Sequence, residues 1–430
     1  MHKVNVGLIG FGTIGTGVVK ELKLKREHIK KRYDLDINLS KICDIDLRSK
    51  RGVSVAKSML TKDAYDIINN PKIDIVIELM GGINPARKFI IDALNNKKHV
   101  ITANKALLSV YKKDFLDQAK VNGVNLFFEA SVCGGIPIIK ALRQGLAANH
   151  VSSIYGIVNG TCNYILSEME DKHISFDDAL TQAQKLGYAE KDPSLDIQGH
   201  DSAHKLAILS SLCFGIDVRP EQIYTEGITQ ISSDDIKYAG GFGYSIKLLA
   251  IAKRENDELA LRVHPTLVPK RHPLASVRSN FNAVSIDSDM MGETLFYGKG
   301  SGSRPTASSV ISDIIDAASC NQDCAMPIIV YDRQVKTVKP KKEFYCSYYI
   351  RFFTIDKPGV LASVAKILAE YGISIATVNQ KPGNDQHIVP IVMLTHKAKE
   401  SSLSKALKKI NALKCIKKKS VVIRSERSRI

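Results

Sequence analysis

The sequence predicts an α/β chain in three parts: a parallel, doubly wound sheet, a mixed α+β domain, and a small βαββαβ sandwich. Three observations predict it. Short β-branched runs alternate with helical patterns over residues 1 to about 130. A glycine-punctuated turn joins the first strand to the first helix. A separate strand–helix series begins near Phe344. The expected division is 1–135, 136–304 and 344–430, with a helix near 305–320 returning to complete the first part.

The elements follow in order. "VNVGLI" is apolar and β-branched and reads as a buried strand. "LIGFGTIGTGVV" then spaces Gly10, Gly12 and Gly15 as G-x-G-x-x-G, and "TGVVKELKLKREHIKKRY" continues as a helix. Strand, glycine turn and helix aim backbone N–H groups and the positive helix end at a pyrophosphate. The turn residues Gly10, Phe11, Gly12, Thr13, Ile14 and Gly15 are therefore candidate dinucleotide contacts in a Rossmann-type domain.

"DINLSKICDID" is the second strand, ending near Asp44 and Asp46. An acid there accepts the ribose hydroxyls and repels a 2′-phosphate, whereas the nearby Arg48, Lys50 and Arg51 would attract one. "KIDIVIELMGG" ends a third strand at Glu78, and "KKHVITANKALL" holds another, with Asn104 and Lys105 at its end. Ligands bind at such strand ends.

In the middle part, "GIVNGTCNYIL" offers Asn159, Thr161 and Asn163 as a turn with exposed donors. "GYAEKDPSLDIQGHDSAHK" crowds Glu190, Asp192, Asp196, Asp201 and Lys205 around Pro193 and Gly199. Asp201 and Lys205 are four apart at the start of a helix and share a face. A lysine there feels the positive helix end and low dielectric on one side and Asp201 on the other, the balance that lets it trade a proton. "FYGKGSGSRPTAS" supplies a second glycine turn with Gly302, and "PTASSVISDIIDAAS" is an amphipathic helix. "KTVKPKKE" reads as a charged linker.

Composition narrows the classes. The net charge is +17, but Lys397–Ile430 holds twelve Lys/Arg against two Asp/Glu, so ten of those charges sit in one segment. That pattern is a solvated face, and no nucleic-acid partner is expected. No apolar run reaches the roughly 18 residues of a membrane span, so neither membrane nor secretion is expected. The eight scattered cysteines, including Cys320 and Cys324, suit buried thiols in a cytoplasmic protein. The histidines His2, His99, His200 and His204 lack ligand spacing and read as structural.

Taken together, "GLIGFGTIGTGV", "ELMGG", "TANKALL", "EASVCGGIPI", "NGTCNYIL", "GYAEKDPSLDIQGHDSAHKLAIL" and "GKGSGSRPTASSVISDI" resemble homoserine dehydrogenase over nearly the whole chain. The C-terminal part, with "DKPGVLA" at Asp356–Ala362, resembles an ACT domain. The resemblance implies NAD(P)-linked interconversion of L-homoserine and L-aspartate 4-semialdehyde on the route to threonine and methionine. By motif, Lys205 would move the proton, Asp201 would share its site, and Lys105 would lie beside nicotinamide and substrate. Glu190, Thr161 and Asp196 would bind substrate. Asp44, Thr102, Lys105 and Gly302 would join the glycine turn around the cofactor. Glu129 with the carbonyls of Val132, Gly134 and Ile136 would hold a monovalent cation, sodium. Ile45 stands where many members carry an arginine for the NADP phosphate, which favours NAD. The rival reading is another reductase of aspartate-derived intermediates. A non-catalytic sensor would require loss of Glu190, Asp201 or Lys205, and all three are present.

The ACT-like unit is expected to bind an amino acid, threonine first, at Gly359 and Asn379. Asp356 would cap the helix opening at Pro358, and a free edge strand would let the unit self-associate into a homodimer or homotetramer. Truncation before Phe344 is expected to leave activity intact.

Overall fold

The computed structural model describes residues 1–320, 335–380 and 388–426. The first six strands are β1 His2–Ile9, β2 Leu35–Cys43, β3 Leu60–Thr61, β4 Ile75–Glu78, β5 His99–Thr102 and β6 Leu126–Phe127. They form one sheet in the order β3-β2-β1-β4-β5-β6, parallel at every pairing. β4 through Ile77 and β1 from Val6 onward are buried on both faces, as a doubly wound sheet covered on both sides requires. The helix Thr13–Tyr33 lays Val18, Val19, Leu22 and Ile29 on one face. The helix Ser303–Ser319 meets the same core through Ala307, Val310, Ile311 and Ile314. This late helix therefore packs with elements some 290 residues earlier, as the hydroxyl of Ser303 donating to the Thr13 carbonyl at 3.1 Å also shows.

The remaining strands are β7 Val151–Ile157, β8 Tyr224–Thr225, β9 Tyr244–Glu255, β10 Glu258–Pro269, β11 Phe281–Ser288, β12 Gly292–Lys299, β13 Thr337–Val338, β14 Tyr345–Thr354, β15 Ile375–Gln380, β16 Val389–Thr395, β17 Ala398–Lys399 and β18 Ile416–Ser425. The chain forms two compact units interleaved along the sequence. One gathers Met1–Ser152, His204–Glu221 and Asn282–Val335, and the other Ser153–Ala203, Gln222–Phe281 and Lys336–Ile430.

In the second unit the sheet runs β7-β9-β10-β18-β14-β16-β15. β14, the helix Val360–Glu370, β15, β16, the helix Glu400–Asn411 and β18 make the expected βαββαβ unit. Its apolar faces close on Tyr348, Ile350, Phe352, Val364, Leu368, Leu403 and Ile410. β18 pairs with β14 on one side and with β10 in parallel on the other, at Thr266↔Arg424 and Leu267↔Ser425. The small unit is thus sewn into the central sheet rather than tethered beside it. β15 remains an edge.

Two local expectations are corrected. The charged stretch after Lys336 is not simply a linker, because Thr337–Val338 pairs with Glu258–Leu259 of β10. Backbone pairing there overrode a composition that lacks any strand periodicity. Asp356 does not cap the next helix, which starts at Val360 with Gly359 at its N-cap, φ +87°, and no side-chain cap bond. The left-handed glycine places the helix start two residues later than proline alone suggested.

Candidate functional site

In the first unit, the turn after β1 is set by glycine geometry. Gly10 sits at φ +102°, and a Cβ there would lie 2.6 Å from the Leu79 carbonyl carbon. A Cβ on Gly15 would strike the Gly10 carbonyl oxygen. A Cβ on Gly12 would meet nothing within 4 Å. Two glycines are therefore demanded by packing, while the third leaves open space at the start of the helix Thr13–Tyr33. Gly12 is that helix's N-cap and makes no side-chain cap bond, so its first-turn N–H groups suit an anion. This cradle fits a dinucleotide pyrophosphate.

Asp44 follows β2 and accepts N–H bonds from Phe11 and, at 2.8 Å, from Asp46. Arg51 lies 3.4 Å from the same carboxylate. Its guanidinium covers the Phe11 ring at 4.9 Å, and its Nε donates to the Phe11 carbonyl. Bonds from the Ser49 hydroxyl and the Arg48 and Ser49 N–H groups hold the Asp46 carboxyl down at about 2. Acid and base therefore stand together here; of the three basic residues noted in the sequence, Arg51 is the one packed against the glycine turn.

At the ends of β4 and β5, Glu78 and Thr102 are buried together, with the threonine hydroxyl donating to Glu78 at 2.6 Å. Burial pushes the Glu78 carboxyl up from its ordinary range. Asn104 accepts the Leu107 N–H at 3.2 Å and donates to the Gly82 carbonyl at 2.7 Å. It thereby caps the helix Lys105–Val121 and fixes where Lys105 emerges, half-buried, in the first turn. Glu78 was visible in the sequence as a strand-end acid; its pairing with Thr102 was not.

The stretch after β6 holds Glu129, Val132, Gly134 and Ile136, the residues expected as cation donors. Glu129 is 4% exposed and accepts the N–H groups of Ile139 and Lys140 at 2.8 and 2.7 Å. Buried Asp313 accepts the Glu129 N–H at 3.0 Å. Burial and the neighbouring Glu129 charge push its carboxyl well up. Cys133 and Gly134 both take positive φ, and the Gly134 carbonyl accepts the Ser309 hydroxyl at 2.6 Å. Two adjacent buried carboxylates beside a turn rich in carbonyls fit a hard monovalent cation. No group of three or more His, Cys, Asp or Glu side chains suited to a metal occurs among the described residues.

In the second unit, Asn159 organises the acidic segment. It is 5% exposed. Its Nδ2 donates to Asp196 at 2.6 Å and to Asp201 at 2.8 Å. Its Oδ1 accepts the Cys162 N–H at 2.8 Å, capping the helix Gly160–Lys172. One amide therefore ties two carboxylates of the 196–201 turn to a helix start. Asn163 is also buried, donating to the Ser279 carbonyl at 2.9 Å and accepting from Lys247 at 3.3 Å. The expectation of exposed donors at Asn159 and Asn163 is corrected: both are spent on bracing. Burial pulls Lys247 down to about 8.

Thr161 donates its hydroxyl to the Tyr188 carbonyl at 2.6 Å, two residues before Glu190. Glu190 itself is exposed, and Asp196 is half-buried. Asp201 and Lys205 occur one turn apart in the helix His200–Phe214, at 3% and 8% exposure. Lys205 falls in the second helical turn rather than the first, because the helix begins at His200. In the ACT-like unit, Gly359 is open to space, and Asn379 lies on the edge strand β15.

No helix among the described residues is long and apolar enough to cross a membrane. The described cysteines are free thiols, and Cys324 lies outside the described residues.

Comparison with known proteins agrees with this arrangement. Residues 10–129 match the homoserine dehydrogenase NAD-binding domain, 137–315 the homoserine dehydrogenase family, and 348–415 the ACT domain. The chain is 43% identical to a homoserine dehydrogenase of Neisseria gonorrhoeae, covering 99% of each, and 38% identical to one of Bacillus subtilis with the same coverage. A crystal structure of a homoserine dehydrogenase from Thiobacillus denitrificans matches with a TM-score of 0.93 at 43% identity, over 99% of this chain and 98% of that one. A hyperthermophilic archaeal homoserine dehydrogenase in complex with NADPH matches 73% of this chain and 97% of its own, with a TM-score of 0.62 at 27% identity. The chain belongs to the homoserine dehydrogenase family and carries an ACT domain at its C-terminal end.

Proposed function

We propose that the protein interconverts L-homoserine and L-aspartate 4-semialdehyde with a nicotinamide cofactor. The observation that carries this reading is the Asn159 amide joining Asp196 and Asp201 at the start of the helix that bears Lys205. NAD(P), when bound at the glycine cradle, accepts or returns the hydride of the carbinol carbon. Lys205 takes the hydroxyl proton in oxidation and returns it in reduction. Asp201, held by Asn159, keeps an acid one turn from Lys205 and favours its charged form. Lys105, fixed by the Asn104 cap, supplies a second cation for the developing alkoxide. Glu190 and Asp196 bind the substrate's amino group, and Thr161 supports Glu190 by holding the Tyr188 carbonyl.

Glu129 and the carbonyls of Val132, Gly134 and Ile136 would hold sodium, whose charge would offset the buried Glu129 and Asp313 carboxyls. Gly302 and Thr102 complete the cofactor contacts. NAD is preferred, because Asp44 and Asp46 would stand at the ribose end and disfavour a 2′-phosphate, with Arg51 moderating the preference. The functional division is 1–135 for cofactor, 136–304 for substrate and 344–430 for regulation. The ACT domain binds a pathway amino acid, threonine first, near Gly359 and Asn379, in a cytoplasmic homodimer or homotetramer. A steady-state assay with homoserine, comparing NAD with NADP and sodium with choline buffers, tests the reading. Activity with homoserine and either cofactor supports it, and no turnover with homoserine overturns it. Calorimetry with threonine on the full chain tests the effector.

A further inference from the structure

The substrate-side turn has a second brace that none of the motifs contains. Strand β8 runs parallel to β10, with Tyr224 opposite Arg262 and Thr225 opposite Val263. The chain then passes directly over the 196–201 turn. The Ile228 N–H donates to the Ile197 carbonyl at 2.8 Å. Gly227 is so close that a Cβ would sit 2.5 Å from the Gln198 Cα. Across the contact, Gly199 holds φ +87°, and a Cβ on it would lie 3.4 Å from the Glu226 carbonyl oxygen. Two glycines, one on each segment, let two backbones touch without an intervening side chain. Any movement of residues 224–227 is therefore passed directly to the turn that carries Asp196 and Asp201.

Those residues are held from the other side by the C-terminal unit. Arg424 of β18 donates to the Glu226 carboxylate at 2.8 Å. Its other nitrogens are fixed by Glu400, at 2.6 and 3.1 Å, the first residue of the helix Glu400–Asn411. Tyr224 bonds the same Glu226 carboxylate through its hydroxyl, and its ring lies 5.0 Å from the Arg424 guanidinium. Arg424 and Glu400 are each 4% exposed, so their pair is desolvated and anchors the guanidinium, while Glu226 meets it from a partly exposed position. Arg424 also sits at the register position where β18 joins β10.

We propose that Glu226 and Arg424 are positioning residues for the substrate: their ion pair presses residues 224–227 onto the 196–201 turn and makes the spacing of Asp196 and Asp201 depend on strand β18. This rests on the reading that Asp196 binds the substrate and Asp201 flanks Lys205. Neither Glu226 nor Arg424 touches the acids themselves. They act through Gly227 and Gly199.

The test uses the full-length enzyme with Glu226→Gln, Arg424→Lys, Arg424→Gln and Asp196→Ala. Glu226→Gln should raise KM for homoserine about five- to twentyfold, while NADH affinity stays within about twofold. Its side chain is 37% exposed, so the variant should fold. Arg424→Lys keeps one charged contact and should recover part of the loss. The double variant Glu226→Gln/Arg424→Gln should be no worse than the poorer single variant, as one shared contact requires. If Arg424→Gln fails to fold, Glu226→Gln and Arg424→Lys decide the matter. An unchanged homoserine KM in Glu226→Gln, alongside a raised one in Asp196→Ala, overturns the proposal. So does a double variant whose losses simply multiply. An unchanged KM in Asp196→Ala overturns the substrate reading and the proposal with it.

Discussion

The glycine turn after β1 and the acidic turn at 196–201 do opposite kinds of work with similar means. Both use glycines at positive φ and tight backbone approach. In the first, Gly15 meets Gly10 within one turn, and the strand ends beside it in the same parallel sheet supply Leu79 and Asp44. In the second, the contact partners come from distant stretches: Asn159, Gly227 and, through Glu226, Arg424. On the proposed function, the cofactor end is marked by a short motif, whereas the substrate-facing turn is assembled from distant stretches of its unit. Short-range geometry is carried by a motif; long-range geometry needs the folded chain to exist first.

Substitutions at Lys205, the two glycines, Asn159 and Arg51 test this contrast. The largest effect is expected at Lys205, where substitution by alanine should lower kcat by about a thousandfold or more. NADH binding, read by fluorescence titration, should be nearly unchanged, and a variant with full activity would remove Lys205 from the chemistry. Next come the glycines. Gly15→Ala must displace the Gly10 carbonyl and should weaken NADH binding by on the order of a hundredfold, equivalent to about 2.7 kcal/mol. Gly12→Ala meets no protein atom, so its melting temperature should match the parent while NADH affinity falls. Equal melting losses in both variants would mean that the turn is only structural.

A smaller effect is expected at Asn159. Asn159→Ala leaves Asp196 and Asp201 without their shared donor and removes a helix cap. Homoserine KM should rise about tenfold, with roughly 1 kcal/mol of stability lost with the cap. Asn159→Asp keeps the capping acceptor but sets a third carboxylate against two. It should restore neither the KM nor the stability, because a buried carboxylate then replaces the donor shared by two others. The smallest effect belongs to Arg51→Ala, which should shift the NAD to NADP ratio of kcat/KM by about three- to tenfold toward NAD, since a cation near Asp44 is lost. A shift toward NADP would reassign the ribose end to other residues.

The small C-terminal unit shows where sequence reading stops. Its βαββαβ order is legible because strand and helix periods alternate cleanly from Phe344 onward. Its attachment is not. The β18–β10 pairing, the Arg424–Glu226 contact and the buried pair of Arg262 with Glu426 join residues more than 150 positions apart. They also alter the expectation for truncation. Removing residues from Phe344 onward would strip β10 of its neighbour and leave Arg262, 1% exposed, without its carboxylate. Loss of activity in such a truncation would thus report a broken sheet as well as a missing regulator.

Composition and spacing by themselves marked out the parallel sheet, the glycine turn, and the shared helix of Asp201 and Lys205, while the family rested on motif resemblance. Each depends on residues a few positions apart, where backbone geometry and side-chain period act directly. Tertiary structure alone decided that Asn159 binds two acids, that Glu78 is buried against Thr102, that Arg51 lies on Phe11, and that β18 enters the central sheet. Those contacts have no local signature. A buried carboxylate or amide is placed by whichever distant partner satisfies its hydrogen bonds, and only the folded chain brings that partner near.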